Sequence, residues 1–273
     1  FAALRSGFTK NLPFGLIVAL VLLATAGCAT MGARTPGINI FTSEQEVEMG
    51  RDFSAQIENE FEIHDDAALA AYVQAVGDRV VAVSDRRDID YHFDVIREDQ
   101  INAFALPGGY IYVYTGLLRT LDDEAQLAAV LAHEVAHVTA RHATERLTAM
   151  YGYQFLASLI LGENPGMFAQ LISGIFSTTG FLAYSRANEF EADRLGTTYA
   201  YNAGYDPTGM TELLAKFIDT ERRQPSKLES WLSTHPPSAD RIEHVQSVIA
   251  ALPARAGGTR NADAFKRMQA RLP

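Results

Sequence analysis

The hydrophobic and polar positions of the chain first repeat with the period of a helix. Residues 42–62 and residues 66–83 each carry apolar side chains three or four positions apart, with charged and polar residues between them. This spacing predicts two amphipathic helices that each bury one face. Thr42 or Ser43 stands where the first helix needs an N-cap. We expect both helices to serve packing.

The pattern then changes to one that is typical of strands. β-branched and aromatic side chains predominate in residues 91–97 and again in residues 110–115, and Gly or Pro brackets the second run. Between these predicted strands, residues 102–109 read Asn-Ala-Phe-Ala-Leu-Pro-Gly-Gly. That segment predicts either an ordinary hairpin or an open edge strand, which could pair with an extended peptide.

Helical periodicity returns in the second half of the chain. One helix is predicted to start near Thr120 and Asp123, a capping-box-like pair, and to run to about Ala149. Residues 153–184 are apolar but interrupted by Glu163-Asn-Pro-Gly, so we expect two short helices there and no membrane span. Core, mobile flap, subunit contact and membrane-facing patch all stay open for that stretch.

Further helices are predicted toward the C-terminus. Residues 185–203 and 206–221 have helical periodicity, and Gly204 between them is a typical C-terminal stop. A polar linker then leads to a last amphipathic helix that ends at Leu252. We expect residues 253–273 to form a loosely attached tail.

The first residues have the layout of an export signal. Two basic residues and no acidic ones precede an apolar run at 14–26, which is short for a bilayer span. Cys28 follows this run in a setting that resembles the bacterial lipobox, with Thr25 where Leu is usual. We therefore expect residues 1–27 to be a signal peptide, Cys28 to be lipidated, and residues 28–41 to be a tether.

Composition and charge narrow the class of protein. With 273 residues and 48% hydrophobic content, the chain suits one large or two small globular domains. Its net charge of −10 argues against a nucleic-acid partner. Cys28 is the only cysteine, so the lipidated protein would have no thiol left to oxidise. This suits an oxidising periplasm. Ala29 after it resembles lipoproteins sorted to the outer membrane, so we expect a lipid anchor in the inner leaflet of that membrane.

Candidate chemistry centres on the predicted helix at Asp123. The motif His133-Glu-x-x-His137 places two imidazoles one turn apart on the same helix face, where both can bind one zinc ion. Glu134 lies about 100° round the helix, too far to be a third ligand but close enough to reach a water at the metal. Ala129 and Ala136 keep this face narrow, so a second helix can approach it closely.

A second acidic helix offers the rest of a site. A catalytic zinc site needs three protein ligands and one open position. Glu189 and Asp193 are spaced i, i+4 on one face of the helix at 185–203. Glu189 could supply the third ligand while Asp193 holds a ligating histidine N–H. A solvated acidic face is the alternative, and Glu191 is expected to point elsewhere.

Four motifs follow one another along the chain: Asn102-Ala-Phe-Ala-Leu-Pro-Gly-Gly109, His133-Glu-Val-Ala-His137, Ser185-Arg-Ala-Asn-Glu-Phe-Glu-Ala-Asp193, and Thr234-His-Pro-Pro237 with Arg241. In this order they resemble the HtpX and CAAX prenyl protease family of zinc metallopeptidases, the minigluzincins. The likeness extends from about residue 42 to residue 252 and is greatest to the exported LoiP-like and BepA-like periplasmic lipoprotein proteases.

The resemblance implies a fold and assigns roles. The fold would be α+β, a mostly helical zincin-type domain at residues 42–252 with a small antiparallel sheet whose edge strand borders the active-site cleft. The choice of Glu189 over Glu191 as ligand rests on the resemblance. The implied assignments are His133, His137 and Glu189 as ligands of one Zn²⁺ per chain, Glu134 as general base, Asp193 as the residue that orients a ligand, and Asn102, Ala103, Phe104 and Ala105 as the substrate-binding edge strand.

Two further residues are assigned through the resemblance. A lone histidine before two prolines, as at His235, is most often structural, but in similar proteins it lies near the zinc and can cover the open position, which would make the enzyme self-inhibited at rest. Arg241 resembles the family's cation near the scissile carbonyl, where positive charge would stabilise the oxyanion. The remaining histidines are expected to be structural, with His142 pointing away from the ligand face: His64, His92, His142 and His244.

These observations predict a zinc metalloendopeptidase of the bacterial cell envelope that cleaves extended or unfolded polypeptides in protein quality control. A membrane contact through the lipid anchor and an envelope-assembly partner are expected, and the oligomeric state is left open. The competing hypothesis is a non-catalytic zinc-containing chaperone or assembly factor whose site His235 closes. An intramembrane protease is disfavoured, because the sequence after Cys28 offers no long apolar stretch free of charges.

Overall fold

A computed structural model shows the architecture of most of the chain. The predicted signal peptide, Cys28 and most of the apolar stretch at 153–184 lie outside the described residues. Within the described part, no helix combines the length and the apolar character that crossing a membrane requires. The described residues are 37–161, 184–255 and 257–273, the side chains of 151 and 153–161 excepted.

Helices dominate the described part, and they surround a small sheet. The mostly helical α+β class is thereby confirmed. The helices are α1 (Ser43–Glu60), α2 (Ala67–Val81), α3 (Thr115–Thr120), α4 (Glu124–Thr139), α5 (His142–Leu161), α6 (Arg186–Asn202), α7 (Thr208–Arg223), α8 (Pro225–Thr234), α9 (Ala239–Ala251) and α10 (Ala262–Gln269). The strands are β1 (His92–Ile96), β2 (Ala103–Ala105) and β3 (Tyr110–Tyr114).

The sheet is mixed, which corrects the predicted antiparallel one. Its strand order is β1-β3-β2. β2 and β3 form an antiparallel hairpin with Phe104 opposite Tyr112, whereas β1 runs parallel to β3 with His92 opposite Tyr110. β1 and β3 run parallel because the chain passes from β1 to the far edge of the sheet, forms β2 there, and returns as β3 between the two. β2 is an edge strand, as predicted.

The helix α4 lies in the centre of the domain. Every residue from Glu124 to Val138 is buried, so this helix has no solvent-facing side. It starts at Asp123, whose side chain accepts from the Gln126 amide. α6 packs closely against it at Gly196, where a Cβ would lie 2.9 Å from the backbone N of His133. The predicted close approach of a second helix therefore occurs, and the small residue at the contact is Gly196 of α6.

The predicted helix from Asp123 to Ala149 is two helices. α4 ends at Thr139, and Arg141 adopts a left-handed conformation with φ 58°. Its guanidinium is held by Glu46 Oε2 at 2.8 Å and by the Phe41 carbonyl at 2.7 Å. These contacts stabilise a backbone conformation that is rare for non-glycine residues. The chain therefore changes direction at Arg141 and restarts as α5.

Two segments differ from their predictions as a linker and a loose tail. The predicted polar linker contains α8, in which Pro225 occupies the first turn and Leu228 and Trp231 are buried. The tail at 253–273 contains α10, and its Phe265 is only 2% exposed and belongs to the main core. The tail was thus expected to be loose but forms part of the folded unit.

The end of the predicted tether also belongs to the folded unit. Asn39 donates to the Thr144 hydroxyl at 2.7 Å, and the Ile40 amide donates to Thr148 Oγ1 at 3.2 Å. Phe41 is buried in a second core cluster. The last residues assigned to the tether therefore pack on α5.

Candidate active site

Four buried side chains from three parts of the fold converge at one point. His133 and His137 come from α4, Glu189 comes from the first turn of α6, and His235 directly follows α8. Each offers one ligand atom, and these atoms all lie within 4.8 Å of one another. The sequence predicted the first three as a ligand set and His235 as a neighbour of the metal.

The spacing of these atoms fits a zinc ion. His133 Nε2 lies 3.0 Å from His137 Nε2 and 3.4 Å from His235 Nδ1. Glu189 Oε1 lies 3.4 Å from His137 Nε2 and 3.0 Å from His235 Nδ1. Tetrahedral ligands at zinc bond lengths are about 3.3 Å apart. Imidazole nitrogens with a carboxylate are also the donor types that zinc prefers.

Glu134 lies beside this cluster and is fully buried. Burial raises the pKa of its carboxyl group, and the nearby His235, His133 and Ala105 amide offset only part of this effect. A carboxyl group with a raised pKa can exchange a proton closer to neutral pH. The Ala105 amide belongs to β2, so the edge strand borders the site as predicted.

His133 is oriented by a carboxylate on α6. Its Nδ1 lies 3.1 Å from Asp193 Oδ1, and Asp193 is fully buried. A proton on Nδ1 directed at this carboxylate leaves Nε2 free to bind a metal. The predicted role of Asp193 agrees with this placement.

Arg241 binds the two carboxylates of α6. Its Nε and Nη2 lie 2.7 Å from the oxygens of Asp193, and Nη1 lies 2.8 Å from Glu189 Oε2. The same Nη1 is close to the carbonyls of His235 and Pro236. This geometry favours a role in holding Glu189 and Asp193 over the predicted one beside a scissile carbonyl.

The charges of the metal-free cluster follow from these contacts. Burial lowers the pKa of His133, but hydrogen bonds with Asp193 and Glu189 outweigh it and raise the pKa to about 9. Burial holds the pKa of His137 well below its ordinary value. Burial raises the pKa of Glu189, but the charge of His235 and hydrogen bonds with the three histidines bring it well below normal. Without metal, His133 is therefore protonated at neutral pH.

Two residues behind His137 were assigned wrongly from the sequence. His142 was expected to point away from the ligand face, and Glu191 to point elsewhere. Instead, His142 Nδ1 lies 2.8 Å from His137 Nδ1, and His142 Nε2 lies 3.3 Å from Glu191 Oε2. The assignment of His142 failed because it assumed an unbroken helix. Nothing in the sequence near Arg141, such as Gly or Pro, signals the break.

Two aromatic rings line the site, and neither was predicted from the sequence. The ring of Tyr184 stacks on His137 with centroids 4.0 Å apart and planes inclined by 19°. The ring of Trp231 lies 4.8 Å from that of His235. Tyr184 is the last residue of the interrupted apolar stretch, where its neighbours in sequence resemble ordinary core residues.

The predicted substrate-binding residues have different surroundings. Asn102 donates to Ser230 Oγ of α8 at 2.8 Å, and Phe104 packs on Tyr112 in the second core cluster. Ala103 and Ala105 are buried in the main core. Of these residues, Ala105 approaches Glu134 through its backbone amide. The Phe104 side chain is therefore part of the core.

Comparisons with known proteins agree with this geometry. Residues 67–249 match the family model "Peptidase family M48". The beta-barrel assembly-enhancing protease of Yersinia pestis is 33% identical over 213 residues, which are 75% of this chain and 44% of that protein. The mitochondrial metalloendopeptidase OMA1 of Schizosaccharomyces pombe is 36% identical over 178 residues, which are 64% of this chain and 51% of that protein.

A third relative matches the chain to a similar extent. The putative beta-barrel assembly-enhancing protease of Vibrio cholerae is 34% identical over 212 residues, 74% of this chain and 43% of that protein. The chain thus spans less than half the length of the beta-barrel assembly-enhancing proteases that it matches. The family predicted from the four motifs is confirmed, and the chain belongs to peptidase family M48.

Proposed function

We propose that this chain is a zinc metalloendopeptidase of the bacterial cell envelope, which hydrolyses peptide bonds in unfolded or misassembled envelope proteins. The observation that carries the proposal is the buried cluster of His133, His137 and Glu189 beside the carboxyl group of Glu134. Family membership and relatives named as metalloendopeptidases favour an enzyme over a non-catalytic zinc-containing chaperone.

The site residues divide the chemistry among them. His133, His137 and Glu189 would hold the zinc ion, with Asp193 and Arg241 fixing their positions. When bound, zinc polarises a peptide carbonyl and lowers the pKa of a water molecule. Glu134 accepts a proton from the attacking water and later donates it to the leaving amine. The raised pKa of Glu134 suits both transfers.

The substrate would lie extended along β2, the edge strand of the sheet. An edge strand offers unpaired backbone groups that can bind a peptide in the manner of an additional strand. The Ala105 amide is close to Glu134, so a peptide paired there would place a carbonyl near the base. A folded protein cannot supply such an extended segment, which supports unfolded or misassembled polypeptides as the substrate class.

His235 acts as a gate in this proposal. It is fully buried and occupies a fourth donor position, with Nδ1 3.0 Å from Glu189 Oε1 and Nε2 3.7 Å from Glu134 Oε1. A catalytic zinc site needs that position for water or substrate. We infer that this conformation is a resting one and that the segment from Thr234 to Pro237 must withdraw before cleavage.

The cellular setting is part of the proposal. A signal peptide at residues 1–27 and lipidation of Cys28 would place the protease in the periplasm, on the inner leaflet of the outer membrane. Relatives bear the name beta-barrel assembly-enhancing protease. That name supports an envelope-assembly partner for this chain as well.

Casein cleavage by the zinc-loaded chain from Ala29 onward tests the proposal. The Glu134→Gln variant keeps the size of the side chain and removes the base. We expect the wild type to cut and the variant to lose at least 100-fold in rate while it binds one zinc, since general base catalysis contributes roughly 10²–10⁴-fold. The exposed Glu243→Gln change is the control. Equal cleavage by wild type and the Glu134 variant would overturn the proposal.

A further inference from the structure

We propose that His142 and Glu191 form a relay that orients His137 for metal binding. Both are positioning residues, because they act on the metal site through His137. This inference rests on the proposed zinc site at His133, His137 and Glu189. It extends that site by two residues from α5 and α6 that contribute no ligand atom.

The relay is a short, largely buried line of polar contacts. His137 and His142 are each 1% exposed, and their Nδ1 atoms lie 2.8 Å apart. The other nitrogen of His142, Nε2, lies 3.3 Å from Glu191 Oε2. The Glu191 side chain is 26% exposed, so the line begins at the buried site and ends near solvent.

Metal binding would determine every proton position in this relay. A neutral imidazole that binds zinc through Nε2 carries its proton on Nδ1. His137 must then donate from Nδ1, and His142 must accept at Nδ1. A neutral His142 whose Nδ1 is unprotonated carries its proton on Nε2, and this N–H can donate to Glu191. The observed contacts therefore match one tautomer for each ring.

The two histidine ligands thus receive different support. His133 meets the Asp193 carboxylate directly at 3.1 Å. His137 has a second imidazole between it and its carboxylate, Glu191. A histidine ligand is generally fixed by an acceptor for its other ring N–H, and loss of that acceptor weakens metal binding. His142 supplies this acceptor for His137.

The break between α4 and α5 is what makes the relay available. An unbroken helix would place residue 142 well round from residue 137, at about 100° per residue. Arg141 in its left-handed conformation turns the chain so that the first residue of α5 faces α4. The buried Glu46 holds this turn through contacts with Arg141 and Thr144. The sequence therefore maintains an otherwise unfavourable backbone conformation beside the ligand.

Zinc affinity of the full chain, measured in detergent by competition with a chelator, tests the relay. His142→Phe keeps a ring but removes the acceptor, and we expect it to weaken zinc binding by roughly 10- to 100-fold. His142→Asn retains an acceptor oxygen near the position of Nδ1, so its affinity should stay within a few-fold of the wild type. Glu191→Ala should weaken binding less than His142→Phe, because water can reach this end of the relay.

Matched controls separate the relay from general effects of substitution. His244→Phe makes the same change on α9, where the histidine contacts the Phe190 carbonyl. Glu243→Ala removes a carboxylate from an exposed position. Both controls should bind zinc as the wild type does.

Nuclear magnetic resonance of the zinc-loaded chain with ¹⁵N-labelled histidine provides the second readout. The relay predicts a protonated Nδ1 on His137 and a protonated Nε2 on His142, joined by a hydrogen bond whose proton signal disappears in His142→Phe. A merely structural role for His142 would not require these tautomers. A proton on Nδ1 of His142 would contradict the relay.

The outcomes distinguish this inference from the proposed function. If the wild type binds one zinc and His142→Phe binds it equally tightly, the relay is wrong and the zinc site stands. If the wild type binds no zinc, or binds it independently of His133 and His137, the proposed function itself fails. A zinc affinity at least tenfold lower in His142→Phe than in the wild type supports the relay, provided that the Asn variant and both controls stay near the wild type.

Discussion

At the scale of single residues, the site depends on the pairing of two buried carboxylates with a guanidinium and a histidine. Arg241 contacts both Glu189 and Asp193, and these two carboxylates in turn contact His133. Unpaired buried charges are strongly destabilising, so each group in this set requires the others. This explains why Arg241, six residues after His235, lies behind the ligands.

The raised pKa of His133 makes zinc binding depend on pH. With a pKa of about 9 in the metal-free chain, His133 carries a proton at neutral pH that zinc must displace. His137 and Glu189 have lowered pKa values and are already deprotonated there. We therefore expect zinc affinity to rise about tenfold per pH unit between pH 7 and about 9 and then to level off.

Chelator competition across that pH range measures the effect. Calorimetry in buffers of different ionisation enthalpy should show release of about one proton at neutral pH. Asp193→Asn removes a charge that raises the pKa of His133, so it should move the plateau to lower pH. Affinity independent of pH between 7 and 9 would show that His133 is neutral before zinc arrives.

At the scale of the elements, periodicity predicted the helices that carry the ligands and failed where tertiary contacts set the backbone. The histidine pair could be placed because i, i+4 spacing on a helix fixes a common face, and the same spacing put Glu189 and Asp193 on one face of a second helix. The restart of the chain at His142 could not be predicted, since the left-handed Arg141 is held by Glu46, nearly a hundred residues earlier. The α8 helix was missed because its buried Leu228 and Trp231 stand among polar residues.

The close packing of α4 and α6 gives a prediction for Gly196. A methyl group there would meet backbone atoms of Ala132 and His133 at 2.9 to 3.0 Å, so one helix must move. Gly196→Ala should reduce the free energy of unfolding by about 1–3 kcal/mol and weaken zinc binding, because Glu189 moves with α6.

Chemical denaturation and chelator competition measure these two effects of Gly196→Ala. Gly152→Ala on α5 is the control, since its nearest neighbour would be a side-chain atom at an ordinary 3.5 Å. That change should be neutral or stabilising, because alanine favours the helix. A Gly196 variant as stable and as tightly zinc-binding as the wild type would mean that the helices are not held at contact distance.

The loop after α8 gives a prediction about regulation. If His235 covers the position needed for water, His235→Ala should raise the rate constant kcat for an unfolded substrate several-fold, with zinc affinity reduced by loss of a donor. Steady-state cleavage of casein at saturating zinc measures this. His244→Ala should change neither quantity. A fall in kcat for His235→Ala would instead make His235 a participant in the reaction.

At the scale of the whole molecule, the family could be predicted from four motifs. Of the contacts that support the site, the sequence predicted that of Asp193 with a ligating histidine and missed that of His142 with His137. Glu134 and the two histidine ligands were placed by helix geometry alone. Glu189 required the family resemblance, and His142 required the structure, because its position depends on a backbone break. The folded unit also extends at both ends beyond residues 42–252, with Phe41 and Phe265 in its cores.

The most direct test of peptide hydrolysis by this site is a casein digest in water enriched in ¹⁸O. Hydrolysis must place one ¹⁸O atom in each new carboxyl terminus, which mass spectrometry detects. The account predicts labelled new termini for the zinc-loaded wild type and at least 100-fold slower labelling for Glu134→Gln at equal zinc content. Labelled termini at the same rate from both proteins would contradict it, because the cleavage would then not depend on Glu134.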